Sequence, residues 1–387
     1  MNRTHRILIV DDVEINRDFL KTVIASMEGG SEFEIYQAVN GHEAFEALRD
    51  IPGISLVILD MMMPEYDGFY FLEKYSDNFE QFEIPIIVMS AAGDNSYIKK
   101  AYGFGIYDYF TKPLTMDKFL SFELKLKNAL RMKEAMEELD RKTEILENDI
   151  RLASSLQYQF LPHIVSEKSY DFTYYYKPYS GLSGDYIDFF TIDEDHVLLI
   201  LADVAGHGTA SAIIATMVKT ITGDFIKNHN GFVIEDFVGT MNSELLKLDL
   251  EGNLMTAFIA LYNQKTRELK YMIAGHPYPI LLDMKNRKVE FLESGGYLPL
   301  GLFEEGEMEH ATVVLEPGTS LVAYTDGILE AKCMDGKFFG LDSMRSFSED
   351  FVENGETFIY YDFVDQLLGK LVSVGDDISM IFLNIKE

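Results

Sequence analysis

Four aspartates lie at the edges of apolar, strand-like segments in the second half of the chain, where their type and placement suit metal-assisted phosphate chemistry. They are Asp185 before YIDFF, Asp203 after VLLILA, Asp326 after LVAYT and Asp376 before DISMIFL. Carboxylate oxygens are hard ligands that favour Mg²⁺ or Mn²⁺ over metals that prefer sulfur. The pattern therefore predicts a divalent metal site that acts on phosphate groups.

The spacing of two strand-like segments places the first two aspartates opposite each other. Residues 185–192 and 196–203 flank an acidic turn, so an antiparallel hairpin centred on Glu194 pairs Asp185 with Asp203. Directly opposed carboxylates have Cβ atoms about 5 Å apart and repel each other, so we expect a cation between them. A bulge or a slipped register would remove this expectation.

The first third of the chain carries a second group of polar residues at predicted strand ends. Residues 7–113 alternate short Val/Ile-rich segments with helical stretches, which predicts an α/β doubly wound domain with a five-stranded parallel sheet. The carboxyl ends of such strands form one site. We expect Asp11 and Asp12 to hold Mg²⁺ and Asp60 to attack a phosphoryl group. Ser90 and Lys112 would bind the phosphoryl oxygens.

These motifs resemble response-regulator receiver domains, and the resemblance covers residues 1–120. It rests on ILIVDD, LDMMMPEYDG, the position of Ser90 and DYFTKP. It implies that Asp60 accepts a phosphoryl group from a histidine kinase and that Met62 is a main-chain ligand of the Mg²⁺. It also implies that Tyr109 is the aromatic switch beside Ser90. The alternative, strand-end acids that only cap helices, explains one acid at most.

A helical linker follows the receiver-like domain. Residues 115–161 contain no Pro or Gly, which predicts one long helix that ends before Pro162. Apolar residues at 3-4 spacing predict a parallel dimeric coiled coil, with a phase break between Met136 and Leu139. The alternative is a helix whose apolar stripe packs on its own domains, which Lys133 and Thr143 in the seam favour.

The remaining residues separate into strands and helices in a way that predicts an α+β sandwich. Helices are expected at 210–226, 233–248 and 356–372, and a hairpin at 255–262 and 268–274. We therefore predict a receiver at 1–120, a helical linker at 121–161 and an enzyme domain at 162–387.

Six ordered segments of this last domain resemble the metal-dependent PPM family of protein serine/threonine phosphatases, in its bacterial stress-response and sporulation branch. They are SGDYIDFF, ADVAGHGTASA, MTAFIALYNQKTRELKYMIAGHPYPILL, GYLPLGL, LVAYTDGILEA and GDDISMIFL. The family fold is a four-layer sandwich of two antiparallel sheets flanked by helices. The resemblance implies that two Mn²⁺ or Mg²⁺ ions are held by Asp185, Asp203, Asp326 and Asp376, with the Val204 carbonyl as a further ligand. Asp377 is the weaker candidate of its pair.

The PPM resemblance also implies a reaction, which is hydrolysis of phosphoserine or phosphothreonine by metal-activated water without a covalent phosphoenzyme. His207 and His276 could each protonate the leaving group, because imidazole titrates near neutral pH. Each could instead be a hydrogen-bonded histidine with a structural role.

Together the two resemblances predict a two-component response regulator with a phosphatase output. A histidine kinase would phosphorylate Asp60 and so control dephosphorylation of an anti-sigma-factor antagonist. The alternative is a catalytically silent adaptor that binds a sigma factor or an antagonist when the receiver is phosphorylated. Loss of metal aspartates would mark an adaptor, and this chain keeps all four.

Composition excludes several other classes of protein. The net charge of −31, from 64 acids against 33 bases, opposes binding to nucleic acid or to an anionic membrane surface. One cysteine, Cys333, rules out an internal disulfide framework and a cysteine-built metal site. No apolar run approaches the ~20 residues that span a bilayer, and the first residues lack the core of a signal peptide. We expect a soluble, cytoplasmic protein.

Overall fold

The computed structural model describes residues 4–27, 32–77, 83–91, 95–206, 208–228, 231–248, 254–304 and 306–387. The chain forms two units, which divide between Leu146 and Glu147. Within the described ranges, every helix is too short or too polar to cross a membrane.

The first unit contains the predicted five-stranded parallel sheet, in the order β2-β1-β3-β4-β5. The strands are β1 (His5–Val10), β2 (Phe33–Ala38), β3 (Ile54–Asp60), β4 (Ile86–Ala91) and β5 (Asp108–Lys112). The helices are α1 (Glu14–Ser26), α2 (Gly41–Asp50), α3 (Gly68–Ser76) and α4 (Asn95–Tyr102). Every residue of β3 is buried, as expected for a central strand covered on both faces.

The two faces of this sheet have separate cores. Strand geometry sends alternate side chains of β1 to opposite faces. Leu8 packs with α2 and α3, whereas Ile9 packs with α1 and with the start of the linker helix. This arrangement leaves the carboxyl ends of β1, β3, β4 and β5 at one edge, where the predicted polar residues lie.

The predicted linker helix is confirmed as α5 (Phe119–Gln159), which is preceded by one 3₁₀ turn at Met116–Lys118. Its first apolar residues, including Phe122 and Leu126, are buried in the core of the first unit. This part of the predicted coiled-coil seam therefore packs within its own unit, as the alternative expected. Farther along, Leu146 and Ile150 are exposed, and a dimer through that stretch remains a prediction.

The second unit has two six-stranded sheets. The first sheet runs β14-β11-β10-β9-β8, with β15 beside β11, and contains β8 (Asp185–Thr191), β9 (His196–Val204), β10 (Met255–Asn263), β11 (Glu268–Ala274), β14 (Gly296–Tyr297) and β15 (Ala311–Val314). The second runs β13-β12-β16-β17-β7-β6 and contains β6 (Val165–Ser166), β7 (Tyr170–Lys177), β12 (Ile280–Asp283), β13 (Lys288–Phe291), β16 (Thr319–Tyr324) and β17 (Ile378–Ile385).

Helices cover the outer face of each sheet, so the predicted four-layer sandwich is confirmed. The helices are α6 (Thr209–Asn228), α7 (Ile234–Lys247), α8 (Gly340–Asn354) and α9 (Tyr360–Leu368). Helices α6 and α7 pack on the first sheet, and α8 and α9 pack on the second. Between the sheets, Leu199 and Leu201 share a core with Phe172 and Ile381.

The prediction of one late helix at 356–372 is wrong in two respects. Helix α9 is shorter, because the chain leaves the helix at Gly369, which serves as its C-cap. Helix α8 was not predicted at all. Its Ser residues weaken helix propensity, but Met344, Phe347 and Phe351 lie at 3-4 spacing and are buried, so tertiary packing stabilises it.

Candidate active site and phosphorylation site

The polar residues at the strand ends of the first unit converge as predicted. Carboxylate oxygens of Asp11, Asp12 and Asp60 all lie within 4.8 Å of one another. Lys112 Nζ lies 2.6 Å from Asp11 Oδ2 and 2.7 Å from Asp60 Oδ2. Three carboxylates beside one ammonium group leave excess negative charge, so this oxygen-rich cluster fits a divalent cation such as Mg²⁺.

The electrostatics of Asp60 combine opposing effects of burial and of the Lys112 ammonium group. Burial raises the pKa of Asp60 above its ordinary value, and the hydrogen bond and ion pair with Lys112 offset part of that rise. The Met62 amide donates to Asp60 Oδ1 at 3.4 Å, which adds a donor to the ionised form. Ser90 is buried at the end of β4, next to Thr111 of β5.

Two further residues fix Asp11, and sequence reasoning did not identify them. Asn16 Nδ2 donates to Asp11 Oδ1 at 3.0 Å, and buried Arg17 donates to the Asp11 carbonyl at 2.7 Å. Both lie in the first turn of α1. Asn16 and Arg17 follow Asp11 closely in the sequence and lie on α1. Only the path of the chain between β1 and α1 brings their side chains back to Asp11.

The predicted switch residue Tyr109 is bound to the linker helix. Lys125 of α5 donates to Asp108 Oδ1 at 2.8 Å and to the Tyr109 carbonyl at 3.0 Å. Its ammonium group also lies 5.3 Å from the centre of the Tyr109 ring. The start of the linker helix is therefore attached to the strand that carries the switch residue.

In the second unit, the predicted register of β8 and β9 is confirmed, because Asp185 pairs directly with Asp203. Asp185 is only 4% exposed. Its Oδ2 accepts a hydrogen bond from Thr325 at 3.2 Å, while its Oδ1 is buried and has no hydrogen-bond partner among the described residues. An unpaired buried carboxylate oxygen is costly, which makes it a strong candidate ligand for a metal ion.

Burial and neighbouring carboxylates raise the pKa values of Asp185, Asp203 and Asp326. Burial and then the charges of Asp326 and Asp376 raise the pKa of Asp203 to about 7. Burial and the charge of Asp203 raise the pKa of Asp185 well above its ordinary range. Burial is also the main cause of the raised pKa of Asp326. Divalent cations would relieve this repulsion, so the donor set fits Mg²⁺ or Mn²⁺.

The phosphatase acids are spread more widely than those of the receiver. Among the residues described, one group of three carboxylates has ligand atoms that all lie within 4.8 Å of one another, and it consists of Asp11, Asp12 and Asp60.

Two glycines allow the loops that carry the candidate metal ligands to approach each other. A Cβ on Gly184 would lie 3.0 Å from the Val204 carbonyl and 2.9 Å from Ser211 Cβ. A Cβ on Gly327 would overlap the Asp377 carbonyl. The Val204 carbonyl, a predicted ligand, is thus directed toward the segment that carries Asp185.

Asp377 has a different role from its neighbour Asp376. Its Oδ1 accepts the Tyr179 amide at 2.7 Å, and its Oδ2 accepts the Gly184 amide at 2.8 Å. Both oxygens are therefore engaged by the loop before Asp185, which agrees with Asp377 being the weaker candidate ligand.

Gln157, in the last turn of α5, is a site residue that sequence reasoning missed. Its Nε2 donates to the Ser183 carbonyl at 2.7 Å, and its Oε1 accepts the Ser183 amide at 3.1 Å. Ser183 Oγ in turn accepts the Asp185 amide at 3.0 Å. The end of the linker helix is therefore two hydrogen-bonded steps from a candidate metal ligand.

The structure supports a structural role for His276. The ring is buried, and its Nδ1 lies 2.9 Å from Thr256 Oγ1. Burial lowers the pKa of His276 to about 3, so the ring is neutral near pH 7 and is a poor proton donor to a leaving group. His207 lies outside the described residues.

Comparisons with known proteins agree with this two-part organisation. The family model for stage II sporulation protein E (SpoIIE) matches residues 193–386, and the model for the response regulator receiver domain matches residues 7–122. The phosphoserine phosphatase RsbU of Bacillus subtilis is 22% identical over 245 residues, which cover 62% of this chain and 71% of RsbU. The two-component response regulator ORR5 of Oryza sativa is 30% identical over 108 residues, which cover 28% of this chain and 78% of ORR5.

A solved structure shows the same fold in the second unit. The SiaA-PP2C domain of Pseudomonas aeruginosa aligns with a TM-score of 0.54 at 19% identity, over 63% of this chain and 98% of that one. The SpoIIE model covers half of the chain. The chain therefore belongs to the SpoIIE family of metal-dependent phosphatases, and its first domain is a response-regulator receiver.

Proposed function

We propose that this chain is a response regulator whose phosphatase domain hydrolyses phosphoserine or phosphothreonine in a protein, under the control of phosphorylation at Asp60. The observation that carries the proposal is the buried Oδ1 of Asp185, which has no hydrogen-bond partner among the described residues and lies opposite Asp203, whose pKa is raised by burial and by neighbouring carboxylates. Burial of a carboxylate oxygen without a hydrogen bond, beside other carboxylates, lowers the stability of the folded protein. A catalytically silent adaptor would gain nothing from such an arrangement.

In the phosphatase site, Asp185, Asp203, Asp326 and Asp376 hold the divalent ions, together with the Val204 carbonyl. When bound, the ions supply an activated water for in-line attack on phosphorus. The chain itself supplies the positioning. Thr325 orients Asp185 through its 3.2 Å hydrogen bond, and Asp377 fixes the preceding loop by accepting two backbone amides.

In the receiver, Asp60 accepts the phosphoryl group of a histidine kinase. The bond from phosphorus to the kinase imidazole nitrogen breaks as the bond from phosphorus to Asp60 forms. The kinase histidine takes up a proton and returns to its neutral form. Asp11, Asp12, Asp60 and the Met62 carbonyl would hold Mg²⁺. Lys112 and Ser90 bind the phosphoryl oxygens, and Tyr109 responds to the change at Ser90.

The linker helix connects the two sites through a contact at each end. Lys125 near its start is bound to Asp108 and Tyr109, and Gln157 at its end is bound to Ser183. A displacement of the helix after phosphorylation would therefore change the support of Asp185. The exposed Leu146 and Ile150 support a homodimer through the same helix.

The proposed substrate is a phosphorylated anti-sigma-factor antagonist. Similarity to RsbU, a phosphoserine phosphatase, and the stress-response branch of the PPM resemblance support this class of substrate. The acidic chain is a poor match for substrates on nucleic acid, because phosphate backbones require basic surfaces.

The test is Mn²⁺-dependent hydrolysis of p-nitrophenyl phosphate, with and without beryllofluoride as a mimic of phosphorylated Asp60. We expect turnover that Asp326→Asn abolishes and that beryllofluoride changes. Asp335→Asn is the matched control, because Asp335 is exposed on the hairpin that follows the Asp326 loop. Absence of turnover in all states, with purified folded protein and saturating Mn²⁺, would overturn the proposal.

A further inference from the structure

A short hairpin, residues 331–339, has no role in the site described above. An antiparallel bridge joins Lys332 to Phe338. Alternate residues of a strand point to opposite faces, and here Phe339 is buried in the core beneath α8. On the outer face, Phe338 is 66% exposed and Met334 is 88% exposed. We call these two side chains the hairpin face.

The hairpin is bound to the loops of two candidate metal ligands. It follows the Asp326 loop along the chain, and Lys332 also forms an antiparallel bridge with Ser373. The Val372 amide donates to the Lys332 carbonyl at 2.7 Å. Because three residues of chain span at most ~11 Å, Ser373 lies within that distance of Asp376. The hairpin therefore stands beside the metal site.

The size of protein interfaces brings the base of this hairpin to the edge of the contact area of a protein substrate. A standard interface covers about 800 Å² on each partner, which corresponds to a disc of about 16 Å radius. A folded protein that presents its phosphorylated residue to the metal site would cover a disc of that size around Asp376. Lys332, at the base of the hairpin, pairs with Ser373 at a Cα distance of about 5 Å and so lies within about 16 Å of Asp376, which puts the hairpin at the rim of that disc.

A groove next to the hairpin face adds a pocket of mixed chemistry. Its volume is about 510 Å³, and its lining includes Met334, Phe347, Asp342, Asp350 and Lys370. Two carboxylates outnumber the one ammonium group of Lys370, so the groove suits an apolar residue of the partner with a basic residue beside it.

The overall charge explains why such an apolar surface is needed. The chain has a net charge of −31, and the phosphate group of the substrate adds about two further negative charges. Long-range electrostatics therefore oppose the encounter, and short-range apolar contacts must supply the affinity. Single exposed apolar residues are common, but this pair occupies one face beside the metal loops.

We infer that the hairpin face and its groove dock a folded phosphoprotein substrate, with an apolar patch and a basic residue near its phosphorylated side chain. This inference rests on the proposed phosphatase function. It goes further because it assigns substrate selection to residues that do not touch the reacting phosphate.

The experiment compares three substrates on the full-length protein with Mn²⁺. They are p-nitrophenyl phosphate, a phosphoserine peptide, and a folded, serine-phosphorylated anti-sigma-factor antagonist. The variants are Met334→Ser and Phe338→Ser, with Val314→Ser as the matched control, since Val314 is exposed on β15 in the other sheet. Thermal unfolding checks that each variant is folded.

We expect both hairpin variants to lower kcat/KM about tenfold for the folded phosphoprotein, through KM, with the two small substrates changed less than twofold. Equal loss on all three substrates would show that the hairpin only supports the metal loops, and no loss on any would also overturn the inference. A lower mass by light scattering would reassign the face to self-association. Absence of p-nitrophenyl phosphate turnover in the wild type would instead refute the phosphatase function itself, and turnover of it without turnover of the phosphoprotein would refute this substrate class.

Discussion

Gln157 holds both main-chain groups of Ser183 with its one amide side chain, at 2.7 Å to the carbonyl and 3.1 Å from the amide. Ser183 lies two residues before Asp185, the buried acid with an unpartnered oxygen. Gln157, in the last turn of the linker helix, is thus placed to position a candidate metal ligand. A change in the helix that moves Gln157 would release the segment before Asp185.

Removal of this clamp should weaken metal binding. Gln157→Leu loses two hydrogen bonds worth about 1 kcal/mol each, so the Mn²⁺ concentration for half-maximal turnover of p-nitrophenyl phosphate should rise roughly tenfold or more. The response to beryllofluoride should shrink as well. Gln366→Leu, at an exposed position of α9, is the control. An unchanged metal requirement together with an unchanged response would reject the clamp.

Replacement of Asp60 should separate control from catalysis. Asp60→Asn removes the nucleophile while Lys112 and Asp11 remain, so phosphate transfer from a radiolabelled histidine kinase should be lost. Basal Mn²⁺-dependent turnover should stay within about twofold, but beryllofluoride should have no effect. Asp50→Asn, at the exposed end of α2, should behave as the wild type. Continued labelling of Asp60→Asn would place the phosphorylated residue elsewhere.

Lys125 should transmit the state of the receiver to the linker helix. Lys125→Gln breaks its contacts with Asp108 and Tyr109, and the half-exposed ion pair is worth only about 0.2–1 kcal/mol, so the protein should remain folded. Labelling at Asp60 should persist while the beryllofluoride effect on turnover falls. Lys142→Gln, exposed farther along α5, controls for the loss of one charge. A full beryllofluoride effect in Lys125→Gln would mean that the signal takes another path.

Acid should destabilise the second unit partly through His276. Its folded pKa, about 3, lies below the ordinary value of 6.5, so neutral His276 contributes stability that is present above pH 6.5. That contribution falls as the pH drops from 6.5 toward 3, by at most about 1.4 kcal/mol per pH unit. Denaturant unfolding should therefore show a shallower acid dependence for His276→Gln. The dependence of its turnover rate on pH between 6 and 8 should match that of the wild type. Loss of the rise or fall in rate within this range would instead show that His276 acts as a general acid.

The exposed half of the linker helix should hold a dimer together. Leu146→Asp with Ile150→Asp places charges on the predicted seam, so light scattering should show a fall from dimer to monomer mass. Asn148→Asp changes the opposite face of the same turn and should leave the mass unchanged. A monomeric wild type, or a dimer that survives the double change, would remove the coiled coil from the proposal.

The sequence alone determined the architecture and the main acids. Strand and helix periodicity predicted the parallel sheet, the linker and the sandwich, because burial on one or both faces of an element leaves a periodic pattern. The hairpin arithmetic paired Asp185 with Asp203, since an antiparallel register follows directly from the centre of its turn. The strand-end positions of Asp11, Asp60 and Lys112 predicted their convergence for the same kind of local reason.

Only the tertiary structure decided how these parts support one another. The contacts of Gln157 with Ser183, of Lys125 with Tyr109, and of Asp377 with two loop amides join residues far apart in the chain. No local pattern marks such partners, because a side-chain amide or carboxylate on a helix or turn has many solvent-exposed alternatives. The burial of His276 and the helix α8 were decided in the same way, by packing against distant segments, which local propensity does not record.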